Sequence, residues 1–329
     1  MMVRRRRLGS LTALALALSF GTAAAPATAQ DWPSKPVRIL VSFAPGGLTD
    51  TIARALLPRL QEGFGQPVVI DNKPGAGGTV AEAQLAKSPP DGYTVLLSAD
   101  SVPANPHLIQ KLPYDTFKDL MPVGMVARIP LVLVANNDVP ATTMKDFVAY
   151  AKSGNAARAS YGSPGIGTSN HLYFEVLKDL VGVDMPHVAY KGGGPAMTDL
   201  MGGHIQAMLI SSTLAVPQVQ AGRVRALAVT SERRLPQLPN VPTFAEAGIA
   251  DFKPQQWTGL FVPTGTPPAI VSRIQAEFAK ALRAPDVVAR LAELNAEPAS
   301  TSQAEFAAFL RRESATLGQL IKARNISAN

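Results

Sequence analysis

Nine short apolar runs alternate with stretches of helical spacing almost from end to end of the 329-residue chain, and that alternation admits few folds. The runs are "PVRILVSF" (36–43), "PVVID" (67–71), "YTVLLS" (93–98), "PLVLVA" (130–135), "RASYG" (158–162), "MPHVAY" (185–190), "IQAMLI" (205–210), "RALAVT" (225–230) and "WTGLFV" (257–262). Most are continuous rather than alternating in polarity, as strands covered on both faces require. Between them, Ile52, Leu56, Leu57 and Leu60 form one helical stripe, and Leu172, Val176, Leu177 and Leu180 another. Strand and helix in turn predict an α/β fold of layered, mostly parallel sheets. After Pro267 the strand signals stop, and the spacing predicts three helices over 268–283, 285–295 and 302–324. The first carries Ile270, Ile274, Phe278 and Leu282; the last carries Phe306, Phe309, Leu310, Leu317 and Leu320. A tail of this kind packs against a lobe already formed.

The first thirty residues stand apart. Arg4 to Arg7 form a basic start, Leu8 to Phe20 an apolar core, and Ala27-Thr28-Ala29 a small-x-small end. The core falls short of the ~20 residues of a membrane span, so residues 1–29 are expected to be a signal peptide, cut before Gln30 or near Ala25. The arginine cluster leaves Sec and twin-arginine export both open. The expected location is the periplasm. Without those four arginines the 31 basic residues become 27 against 24 acidic ones, so the formal +7 falls to +3. That is an ordinary soluble surface and argues against a nucleic-acid partner. No cysteine is present, so neither disulfides nor a lipid-anchored cysteine enters. About 300 mature residues exceed what one hydrophobic core usually serves, which predicts two lobes.

Four strand candidates run into glycine-rich turns that open helical patterns: "APGGLTD" (44–50), "KPGAGGTVAE" (73–82), "SPGIGTSNH" (163–171) and "KGGGPAMTD" (191–199). Glycine lets backbone approach a ligand, and the amides opening a helix have no helical acceptor, so such turns favour an anion. One turn alone is more often just a tight connection, and the second is not separable from that. Several, drawn from both halves of the chain, predict a cleft between lobes at the carboxyl ends of the strands. No phosphate-loop G-x-x-x-x-G-K-[ST] occurs, and Asn170 stands where a dinucleotide fingerprint after Gly165-x-Gly167 needs glycine, so no cofactor is expected. With aromatics at 6% and two tryptophans, stacking surfaces for sugars are scarce. A small carboxylate held by amides and hydroxyls fits better.

The chemistry-bearing residues do not assemble into a catalytic pattern. His107, His171, His187 and His204 form no H-E-x-x-H and no H-x-H pair, and no metal site is expected. Ser163 follows a strand, but "YGSPG" lacks the G-x-S-x-G elbow of a hydrolase. Asp50 reads either as a general base or as an acid stabilising the positive end of its helix. A secreted α/β hydrolase or lyase using Ser163 or Asp50 is therefore the rival to a binding protein.

Longer stretches carry a resemblance. "WPSKPVRILVSFAPGGLTDTIARAL", "GQPVVIDNKPGAGGTVAEAQLAKSPPDGYTVLL", "NPHLIQKLPYD", "SYGSPGIGTSNHLYFEVLK", "HVAYKGGGPAMTDLMGGHI", "GRVRALAVTSERRLPQLPNVPTFAEAG" and "VPTGTPPAIVSRI" resemble the substrate-binding proteins of tripartite tricarboxylate transporters, the TctC or Bug family, across essentially the whole mature chain. The resemblance implies a two-lobed, type II periplasmic-binding-protein fold with lobe one made of 30–128 and 229–329 and lobe two of 129–228. It implies a small organic acid as ligand, a monomer, and as partner either the permease subunits of such a transporter or a sensor kinase. One carboxylate would be clasped between Phe43, Ala44, Gly46, Gly47, Thr49 and Asp50 on one side and Ser163, Gly165, Gly167, Thr168 and Ser169 on the other. The far end of the ligand would meet variable positions near Ser98–Ser101, Lys191–Gly194 and Ile210–Ser212, among them Ser98, Ala99, Lys191, Gly192 and Ser211. Where many members have an acidic residue after the strand "IQAMLI", this chain has Ile210, which removes a partner for an ammonium group. That favours a mono- or dicarboxylate, or an aromatic acid, over an amino acid, with Asp100 the other acid within reach.

Overall fold

The computed structural model describes residues 32–153, 159–190 and 192–327; the expected signal peptide, the first residue of the fifth strand candidate and Lys191 lie outside them. The first half of the chain runs β1 (Val37–Val41), α1 (Leu48–Phe64), β2 (Val68–Asn72), α2 (Thr79–Ala86), β3 (Thr94–Ala99), the one-turn α3 (Asn105–Leu108) and β4 (Leu120–Ala135). The middle runs α4 (Met144–Lys152), β5 (Tyr161–Ser163), α5 (Ser169–Val181), β6 (His187–Ala189), α6 (Gly193–Met201), β7 (Ala207–Ser211), α7 (Ser212–Gln220) and β8 (Arg225–Val229). The chain then returns through β9 (Gln255–Pro263), α8 (Pro268–Ala281), α9 (Pro285–Glu293), β10 (Glu297–Pro298) and α10 (Gln303–Ala323).

The strands form one sheet in the order β2-β1-β3-β9-β4-β7-β5-β6, with β8 and β10 both pairing with β4. β1 is parallel to β2 and β3, and β5 to β6 and β7, but every pairing of β4 and β9 is antiparallel. The sheet is therefore mixed rather than mostly parallel. The cause is β4, whose 16 residues reach ~50 Å and pass from one parallel set to the other. Its first eleven residues pair with β9 and its last five with β7 and β8. The sequence shows a strand only over 130–135, because Pro122 and Gly124 interrupt the pattern. In the structure the register shifts at Pro122/Gly124 and again at Met125/Ala127, bulges that admit both residues without breaking the strand. The two-residue β10, bonded to Arg128 and Ala127, is a further strand after Pro267.

Each set of strands buries both faces. Ile39 and Val41 pack under α1, α8 and α9 with Leu56, Ile274 and Leu291, while Leu40 and Leu96 face the opposite way, with Leu85, Trp257 and Phe306. In the second set Leu131 and Leu133 meet Phe147, Leu172 and Phe174, and Val132 and Val134 meet Met197, Leu200 and Val216. This period-two division of one strand between two cores is what covered strands require. Of the expected helical stripes, Ile52, Leu56 and Leu60 are fully buried, whereas Leu180 is 52% exposed at the end of α5. α10 serves both halves: Phe306 and Leu310 enter the core of the first, Leu317 and Ile321 that of the second. The segment before β9 also packs on the second half, through Leu235, Leu238, Phe244 and Phe252.

Candidate ligand-binding cleft

The carboxyl ends of β1, β3, β5 and β7 and the antiparallel amino end of β9 open onto one cleft of about 480 Å³. Its walls come from both halves: Phe43, Gly47 and Thr49 before and within α1, Ala99 and Asp100 after β3, Gly167, Thr168 and Ser169 before α5, and Ile210 and Ser211 after β7.

The first loop is held from behind. Asp50, 1% exposed, accepts the Gly46 amide and Arg54 Nε, each at 2.8 Å, while Asn72 Nδ2 donates to Asp50 Oδ1 and to Phe43 O, both at 3.0 Å. Burial raises the Asp50 carboxyl, but the bonds from Arg54, the Gly46 amide and Asn72 outweigh it and hold the group below the usual carboxylate range. Asp50 does not line the cleft; it braces the loop that does. Gly46 at φ +78° turns the chain there, and Ala44 and Gly46 lie exposed outside the cleft. The Gly46 amide is taken by Asp50 and the Gly47 amide by Ala44 O at 3.1 Å. The first bond of α1 is Thr51 N to Gly47 O, so the amides of Leu48, Thr49 and Asp50 are the ones without an acceptor.

The second loop is built the same way with different parts. Ser163 is fully buried; its Oγ donates to Gly165 O at 2.9 Å and lies 2.7 Å from His187 Nε2, and Thr168 Oγ1 donates to Gly165 O at 2.8 Å. Gly167 N donates to His171 Nδ1 at 3.0 Å. The His171 and His187 rings stack with centroids 3.8 Å apart, and Tyr161 stacks on Phe174 beside them at 3.9 Å. Burial lowers both imidazoles, His187 to about 4 with His171 adding to the effect, so both are neutral near pH 7. Ser163 and Gly165 therefore shape the loop from beneath, and Gly192, whose amide donates to Pro164 O at 2.9 Å, ties it to the next turn. The α5 amides of Ser169, Asn170 and His171 precede the first helical bond, Leu172 N to Thr168 O, and have no acceptor.

Of the residues expected from sequence, Phe43, Gly47, Thr49, Ala99, Gly167, Thr168, Ser169 and Ser211 line the cleft, while Ala44, Gly46, Asp50, Ser98, Ser163, Gly165 and Gly192 do not. Ser98 is buried one layer down, bonding Ser42 Oγ at 3.1 Å and Glu82 at 3.4 Å. Ala76 and Gly77, from the second glycine-rich turn, do line the cleft, as do Asn105, Leu108, Gln256 and Trp257, which sequence reasoning missed. Gln256 and Trp257 open β9, and only the antiparallel course of that strand brings its start to the end where its neighbours finish. Gln256 Nε2 reaches across to Ser169 Oγ and Asn170 Oδ1, both at 3.2 Å. Among the described residues no group of His, Cys, Asp or Glu could hold a metal ion, and no helix is long and apolar enough to cross a membrane.

A family model described as TctC, tripartite tricarboxylate transporter family receptor, matches residues 52–326. The chain belongs to the TctC family. The TctC relative named BugT, from Bordetella pertussis, is 35% identical over 292 residues, 88% of this chain and 89% of its own. Among solved TctC-like structures, an R. palustris protein with adipate is 34% identical, covers 90% of this chain and 99% of its own, and superposes with a TM-score of 0.79. MatC from Rhodopseudomonas palustris with bound malate is 32% identical, covers 88% and 99%, and has a TM-score of 0.75. The fold of this TctC chain is thus the two-lobed periplasmic-binding-protein fold, and its family is one of solute-binding proteins.

Proposed function

We propose that this protein captures a small organic carboxylate in the cleft and delivers it unaltered to the membrane subunits of a tripartite tricarboxylate-type transporter. The observation that carries this reading is the pairing of α1 and α5: each opens into the same cleft, from opposite halves, with three amides that have no acceptor. An anion lying between them meets two positive dipole ends and needs no cationic side chain. Adipate and malate, held by two structural neighbours, are ligands of this chemical kind.

Release without chemistry also fits the framework. The proposed lobes are 30–128 with 229–329, and 129–228, joined where β4 crosses between strand sets. The packing of Leu235, Leu238 and Phe244 on the second set draws the return crossing towards Gln255. Small changes along β4 and before β9 then open the cleft. Against a hydrolase, Ser163 Oγ is buried and spent on Gly165 and His187, and Asp50 is spent on the first loop. The family and the basic, apolar, small-residue order of the first 29 residues support removal of a signal peptide and residence in the periplasm.

A thermal-shift screen of organic acids tests the reading. At least one acid should raise Tm in proportion to the logarithm of its concentration and be recovered unchanged by mass spectrometry. Recovery of a converted product, or no stabilisation by any acid, would overturn it.

A further inference from the structure

The cleft contains one carboxyl group and no described cation. Asp100 lines it, is 8% exposed, and has an Oδ2 atom without a hydrogen-bond partner. Two neighbours in the lining share that condition: the Ser101 hydroxyl and the Trp257 indole N–H, on a residue 2% exposed, are buried and unpartnered. Most of the remaining wall is apolar, with Phe43, Leu48, Leu108, Ile109, Ile210 and Leu214 facing the same space. No arginine, lysine or histidine is among the described lining residues.

A buried polar atom without a partner costs free energy unless a ligand satisfies it. A ligand with two carboxylates would place its second charge among apolar side chains beside Asp100, with no side-chain countercharge among the described lining residues. A ligand that is apolar beyond its carboxylate would leave Asp100 Oδ2 unpaired. An ammonium group would find a single carboxyl, with only neutral hydroxyl and amide oxygens such as those of Ser101, Asn105 and Gln256 beside it in the described lining. We propose that the ligand is a monocarboxylate with an apolar body that also carries a hydroxyl group, and that Asp100 is the specificity-determining residue that accepts a hydrogen bond from it. The inference rests on the carboxylate reading above and narrows it. Burial pushes the Asp100 carboxyl up to about 7, with Glu313 acting in the same direction and the Ser169 hydroxyl opposing.

The test is isothermal titration of the mature protein with five acids sharing one six-carbon body: hexanoate, 2-hydroxyhexanoate, 6-hydroxyhexanoate, norleucine and adipate. One hydroxy acid should bind at least ~10-fold more tightly than hexanoate, norleucine and adipate, the discrimination expected of a site built to bond a hydroxyl. Asp100→Leu should bring hydroxy and unsubstituted acids to within ~2-fold while binding hexanoate no more weakly than wild type. Asp100→Asn, which keeps the shape of the side chain, should lower the preference without abolishing it. Tightest binding of adipate or norleucine, equal binding of hexanoate and both hydroxy acids, or a preference that survives at full size in both variants would overturn the inference and leave the carboxylate reading standing. Failure of all five acids to bind would overturn the inference, while the carboxylate reading falls only if the wider screen of organic acids also finds none.

Discussion

Asp50 Oδ2 accepts the amide of Gly46 at 2.8 Å, so a helical carboxylate four residues on closes the loop that precedes its own helix. The same side chain takes Arg54 and Asn72, and Asn72 also holds Phe43 O. Asp50→Ala should therefore destabilise the protein by about 2–3 kcal/mol, because a buried charged acceptor and its donors are lost together. Since the folded carboxyl lies below its unfolded value, its stabilisation is present above the unfolded pKa of ~3.9 and is lost as pH falls through the folded one. Urea unfolding between pH 3 and 7 should show a smaller acid-side loss for the variant than for wild type.

Gly47 lines the cleft at φ −70°, a conformation any residue adopts, and a Cβ there would lie 3.1 Å from Ala44 O. Gly47→Val should fold with a Tm within a few degrees of wild type and lose the stabilisation by carboxylates, since the added methyl groups occupy ligand space. Gly46→Ala should do the reverse in part. Its Cβ meets nothing within 4 Å, but φ +78° is unfavourable for alanine, so about 1 kcal/mol of stability is lost, with a milder effect on binding. Denaturant unfolding and ligand thermal shifts, run on both variants, check the pair.

The strand candidates became strands because covered β-strands write continuous apolar runs, and the tail helices over 268–324 were legible because their stripes repeat at helical spacing. β4 was half hidden, since Pro122 and Gly124 look like breaks in a linear reading and are bulges in a paired one. The same asymmetry governs the cleft. Glycine turns such as 44–50 and 163–171 announce themselves locally, but a motif does not say which of its residues face the ligand. Asp50 and Ser163 face inward because other elements, Asn72 from β2 and His187 from β6, reach them. Asn105 and Trp257 enter the cleft through strand order, which a single sequence does not display, whereas Asp100 lies in the stretch 98–101 expected at the far end of the ligand.

His187 and His171 stack at 3.8 Å between ring centroids beneath the second loop, and burial keeps both neutral in the folded state. The folded pKa of His187, about 4, lies below the unfolded ~6.5, so the unfolded chain takes up the proton first as pH falls. Stability should be complete above pH ~6.5, decline between there and pH ~4, and level off below as far as this group is concerned. His187→Gln should flatten that part of the profile, measured as denaturation midpoint against pH. Affinity for the ligand should weaken only where the folded His171 itself takes up a proton, which burial moves below the ordinary imidazole range, because Gly167 N depends on a neutral His171 Nδ1 as acceptor.

α10 carries Phe306 and Leu310 into the core of the first half and Leu317 and Ile321 into that of the second, and β4 runs through both. Tyr173 of α5 adds a bond from its hydroxyl to Glu313 of α10 at 2.9 Å, and Ser314 lies 2.9 Å from His107 Nε2 at α3. With two shared elements, neither half can lose its core without exposing apolar surface in the other. Calorimetry should therefore show a single transition whose van't Hoff and measured enthalpies agree, rather than two separated ones. Leu317→Ala should cost about 2–5 kcal/mol and lower that single Tm, as should Leu56→Ala in the opposite half, because both leave cavities in fully packed cores. A Leu317→Ala variant that split the transition would instead mean that α10 carries most of the coupling between the halves and that β4 alone does not hold them together.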